Sequence, residues 1–170
     1  MTGGRATVRS ALLLALALAL QALRLVLPLP LSLSTFIVGT LVHMMLAVTL
    51  RLSGLAAALL LGLLLPLTAY AQGQLLLPLL IPVVWAGNAV FLLALSRWGR
   101  GRWSAVVVPA VCKAAAMLLL GWGVVGFLQL DASAVGKTIL FAMSVPQLVT
   151  GVAGVLLAAK VLALIRNKIS

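Results

Sequence analysis

Lys113 stands in Val106–Leu120, a run with no other charged residue. A lysine at mid-bilayer costs roughly 2.5–3.5 kcal/mol on insertion scales. It therefore needs a hydrogen-bonding partner, a watery cavity or a ligand. The plain alternative is a lysine that snorkels along its stem or bonds a backbone carbonyl. Three other polar side chains lie at similar depth when residues are counted at about 1.5 Å each: His43, Asn88 and Gln147. Trp85 stands one turn above Asn88. Lipid satisfies no polar group, so such side chains face the bundle interior or a cavity. Taken singly they read as interhelical hydrogen bonds. Taken with Lys113 they suit a polar cavity equally well. Arg24, Gln72 and Gln74 fall in the outer part of their segments, with Tyr70 and Trp122. Arg24 and Lys113 suit a ligand carboxylate or phosphate, and Trp85 and Trp122 suit a ring.

Other chemistries lack their residues. Asp131 is the sole acidic residue, so no carboxylate pair exists for acid–base work or for ion-coupled transport. Cys112 is the sole cysteine and His43 the sole histidine, so neither a disulfide framework nor a metal cluster is expected. Gly136-Lys137-Thr138 lacks the glycine that a phosphate-binding loop needs. No enzyme activity and no cofactor are expected.

The elements that position these residues are membrane helices. Sixty-five per cent of the 170 residues are hydrophobic and 8% are charged. Hydropathy predicts six spans in a single membrane domain: 8–27, 33–50, 52–70, 75–96, 105–128 and 138–165. Breaks are expected at Pro28 and Pro30, at Arg51 with Ser53-Gly54, at Gln72-Gly73-Gln74, at Arg97–Arg102 and at Gln129–Gly136. Pro78 and Pro82 are expected to kink the outer half of span four, and Gly121, Gly123 and Gly126 to loosen the outer end of span five.

Charge sets the expected topology. With the N-terminus inside, the inner face holds Arg5, Arg9, Arg51, Arg97, Arg100, Arg102, Lys160, Arg166 and Lys168. That follows the positive-inside rule for both ends in the cytoplasm, with Trp98 and Trp103 at the inner interface. The net charge of +11 thus points to anionic lipid before nucleic acid. A competing reading makes Arg5 to Leu20 a signal peptide. Against it, the apolar run continues to Leu27, and its removal would spoil the charge alternation.

Ala11, Ala15 and Ala19 are spaced by four and form one small-residue stripe. Such a stripe lets another helix approach closely in lipid, either a partner's or one of this chain's own. Gly151, Gly154 and Ala158 make a similar stripe, read as internal packing.

These features together resemble the substrate-binding S component of an energy-coupling factor (ECF) transporter, a class of prokaryotic vitamin importers. The similarity covers nearly the whole chain. It rests on the alanine stripe, Leu64–Gln74 (LLPLTAYAQGQ), Pro82–Asn88 (PVVWAGN), Val111–Lys113 (VCK) and Val145–Gly154 (VPQLVTGVAG), in order on successive helices. One departure is Gly39–Leu46 (GTLVHMML), where members of the family commonly carry asparagine at the position of His43. Ligand identity therefore does not transfer. The resemblance implies a six-helix bundle in a prokaryotic plasma membrane and a pocket near the outer side. It also implies docking through Ala11, Ala15 and Ala19 on a transmembrane T component that works with two ATPases. The alternative is a structural or scaffolding membrane subunit, such as a cell-shape or assembly factor, which uses the same small-residue faces and needs no ligand.

Overall fold

A computed structural model describes residues 3–26, 30–98 and 103–169. Pro28, Arg100 and Arg102, invoked above, lie outside the described residues. The structure is helical throughout, in the order α1 (Gly3–Val26), α2 (Leu31–Ser53), α3 (Leu55–Ala71), α4 (Leu80–Trp98), α5 (Ser104–Phe127), α6 (Ala134–Ala142) and α7 (Val145–Ile169). Among the described residues five segments are long and apolar enough to cross a membrane: α1, α2, α4, α5 and the joined α6–α7. The fold is that of an all-α, multi-pass membrane protein. α3, at 17 residues, is shorter.

Helix α2 is central and packs on α1, α3, α4 and α7. The ring closes through α3–α4, α4–α5 and α5–α7, which leaves α1 outside, against α2 and α3 only. Two apolar clusters fill the interior. One joins Ala17, Met45, Leu46, Ala47, Val48, Leu50, Ala58, Leu61, Leu65, Phe91, Leu92, Leu95, Val155 and Ala158. The other joins Leu80, Val83, Met117, Val125, Ile139 and Met143. Asn88 and Lys113 fall between the two clusters along α4 and α5.

Two expectations need correction. Helix α4 starts at Leu80, not Leu75. Pro78 sits in the preceding turn and Pro82 in the first helical turn, where a missing N–H breaks no helical bond. Neither kinks the span. The sixth span is also interrupted: α6 ends at Ala142 and α7 begins at Val145. Pro146, in the first turn of α7, has no N–H to give the Ala142 carbonyl four residues back, so helical bonding lapses at Met143–Ser144.

The expected break between spans two and three is one residue, Gly54, at φ 87°, ψ 175°. Only glycine holds that backbone readily, and other residues cost about 1–3 kcal/mol there. Nothing lies within 4 Å of a Cβ built on Gly54, so the effect isolates backbone strain. Gly54→Ala is expected to lower stability by that amount, measured by chemical unfolding in detergent.

Candidate functional site

His43 on α2, Asn88 on α4 and Lys113 on α5 meet in one place, and each is 2% exposed. Lys113 Nζ donates to Asn88 Oδ1 at 2.6 Å and lies 2.9 Å from His43 Nε2. His43 Nδ1 is 2.7 Å from the Gly39 carbonyl. A carbonyl only accepts, so Nδ1 carries the hydrogen and Nε2 accepts from the lysine. Asn88 Nδ2 donates to the Gly62 carbonyl at 2.9 Å. The lysine head also lies 5.9 Å from the centre of the Phe91 ring, within reach of a cation–π contact. Phe91 meets the His43 ring edge-on at 5.1 Å and 78°.

The Gly62 carbonyl is available for a chemical reason. Pro66 lies inside α3 and has no N–H to give the carbonyl four residues back. Asn88 supplies the missing donor. A chain of four hydrogen bonds thus runs from Gly39 through His43, Lys113 and Asn88 to Gly62, tying α2, α5, α4 and α3 together. Helix α7 seals it with glycines. A Cβ on Gly154 would collide with His43 Cβ, and one on Gly151 would stand 2.8 Å from Ala110 Cβ.

Three of the four bonds join different helices; interhelical hydrogen bonds in membranes average near 0.6 kcal/mol, so they supply about 2 kcal/mol. Burying the lysine costs about as much. Stability by itself therefore gives no reason for an ionisable group here.

A second polar cluster lies toward the loop that joins α3 to α4. Gln21 on α1 donates to the Leu65 carbonyl at 3.1 Å and to Thr68 Oγ1 at 3.0 Å. Gln74 donates to Gln72 Oε1 at 2.7 Å and approaches the Gln21 carbonyl at 3.5 Å. Arg24 Nη2 reaches Thr35 Oγ1 at 3.4 Å, while its Nε is buried without a hydrogen-bond partner. Gly62 and Leu65, the α3 anchors of the two clusters, are about one helical turn apart.

The sequence-expected residues therefore divide. His43, Asn88 and Lys113 form the inner cluster, Gln72 and Gln74 join Gln21 in the second, and Arg24 bonds Thr35 on α2. Gln147 reaches neither: its Nε2 donates to the Ala142 carbonyl at 3.1 Å and caps the end of α6. Trp85 is 41% exposed and lines an apolar groove of about 540 Å³ between α4 and α5, with Leu79, Leu120 and Phe127. Sequence reasoning missed Gln21, Phe91 and Gly62. Pro66 was the available signal for Gly62, since it orphans that carbonyl by arithmetic.

The alanine stripe faces away from the bundle. Ala17, Gln21 and Arg24 point inward, Ala17 and Gln21 being buried, whereas Ala11, Ala15 and Ala19 are exposed beside Val8, Leu12 and Leu16. Residues two apart on a helix differ by about 200°, so the stripe lies opposite the packed face. Among the described residues no group of three His, Cys, Asp or Glu could hold a metal. No family model, no curated protein and no solved structure matches this chain.

Proposed function

We propose that this chain is the substrate-binding S component of an ECF-type importer in a prokaryotic plasma membrane. In this reading it crosses the membrane six times, with both ends cytoplasmic. It captures a small molecule, such as a vitamin or precursor, from outside. A T component and two ATPases then drive delivery inward. The observation that carries the reading is the Lys113 network: a buried ammonium with no carboxylate, held by bonds that do no more than offset its burial. An anionic group on the ligand is the partner such a site lacks. Arg24, Gln72 and Gln74 receive the ligand at the outer end, and the Lys113 cluster forms the floor beneath. Exposure of Ala11, Ala15 and Ala19 supports docking on the T component, because among the described residues no helix covers that face.

The scaffold reading has one observation in its favour. The Lys113 cluster is buried, and neither the groove beside Trp85 nor the one beside Arg51 is lined by His43, Asn88 or Lys113. Native mass spectrometry of the protein purified in mild detergent from its own host separates the two. The expected result is a co-purifying small molecule, lost in Lys113→Ala and in Arg24→Ala. Ala15→Leu is expected to keep that molecule and lose the T component. A protein without any small molecule that still carries other membrane subunits would sink the importer reading in favour of the scaffold.

A further inference from the structure

A groove of about 960 Å³ opens at the opposite end of the bundle from Arg24. It lies between the C-terminal part of α2, the end of α4, the start of α5 and the C-terminal half of α7. Its walls are Ala47, Leu95, Ala105, Val155, Ala158 and Leu162, with Arg51, Trp103 and Ser104 at the mouth. The reason for the gap is local. Helices α5 and α7 are in close contact at Ala110 and Gly151, where an added Cβ would crowd its neighbour. Toward the groove the walls carry alanine at 105, 158 and 159, whose short side chains leave the space open. From Val155 to Leu162 the groove runs about 10 Å along α7, roughly a third of the hydrocarbon core.

We infer that this groove binds the acyl chain of an anionic phospholipid, with the headgroup held at Arg51. Three observations favour that occupant. The walls are apolar while the mouth carries a guanidinium and an indole hydrogen-bond donor, which matches a tail below a phosphate. Trp103 is 75% exposed, where an interfacial tryptophan beside a headgroup belongs. Charge at this end is of one sign: Arg51 and Arg97 occupy the last turns of α2 and α4, and the chain carries +11 with one acid. Basic pockets between membrane helices recognise anionic headgroups in this way. The size is at the upper end of the range for small-molecule sites. The inference stands apart from ligand capture at the other end of the bundle, and neither depends on the other.

The test is native mass spectrometry of the delipidated full chain, titrated with phosphatidylglycerol or phosphatidylcholine of the same tails. One phosphatidylglycerol per protein should persist at collision energies that strip phosphatidylcholine. Arg51→Gln should reduce that preference about fivefold, the effect of one basic group near a charged headgroup. Ala159→Phe, at an exposed wall position, should abolish retention of both lipids, whereas Lys137→Gln at the far end should leave it unchanged. Equal retention of the two lipids, unaffected by Arg51→Gln and Ala159→Phe, would overturn the proposal. So would a co-purifying protein subunit that Ala159→Phe displaces while lipid retention is unchanged.

Discussion

Asn88→Leu is expected to destabilise the protein by about 3–5 kcal/mol, the range for a buried charge left without its partner. Leucine keeps the branching and heavy-atom count of asparagine but is larger, so some overpacking adds to the lost hydrogen bonds. Lys113 loses its 2.6 Å acceptor, and the Gly62 carbonyl, which Pro66 already leaves without a helical donor, loses the amide that serves it. Lys113→Met should behave differently. It removes the buried charge, leaves Asn88 bonded to Gly62, and is expected to change stability by less than about 1 kcal/mol, or to raise it. The double variant should recover most of what Asn88→Leu loses, a coupling of about 2 kcal/mol or more. Chemical unfolding in one detergent measures all three. If Lys113→Met were as damaging as Asn88→Leu, the lysine would be a structural strut and the functional argument for it would fall. On the importer reading, both single variants also lose the co-purifying molecule, so Lys113→Met separates function from stability.

Gly154→Ala should open the bundle. A methyl there meets His43 Cβ, and at 2.9 Å both Met44 N and Thr40 O. The last two are backbone atoms of α2 and cannot rotate away, so α7 and α2 must separate. Overpacking of this kind costs typically 1–3 kcal/mol. Here displacement of His43 should also lengthen its bond to Lys113. The control is Gly123→Ala on α5, where nothing lies within 4 Å of the new methyl; it should be neutral or stabilising by roughly 0.5–1 kcal/mol. Unfolding midpoints of the two variants, compared with the parent, check both. Equal midpoints for the two would mean that α2 and α7 are not held in close contact at this point.

Which side chains meet was only partly legible along the chain. Lys113 was conspicuous because a charge in an apolar run is a local property. His43 and Asn88 followed from depth, since equal depth on neighbouring helices is necessary for contact. Depth is not sufficient, and Gln147 shows why. Its amide turns back to the Ala142 carbonyl at the break between α6 and α7, a break that the continuous apolar pattern concealed. Trp85 has suitable depth too, yet its helix rotation points it into the outer apolar groove.

By itself, the sequence determined the class of the molecule: an all-α membrane protein, with helix breaks near Gly54 and Gly73 and one anomalous buried cation. Hydropathy and backbone preference act over a few residues, so they survive without knowledge of the neighbours. Only the tertiary structure decided the facings. It turned the alanine stripe outward, pressed the glycines of α7 against His43 and Ala110, closed the Lys113 cluster, and left a groove beside Arg51 and Trp103. The physical reason is that an apolar helix has no polar face to orient it. Its rotation is set by which small residues let neighbours approach and which donors reach an orphaned carbonyl, and both are properties of pairs of helices.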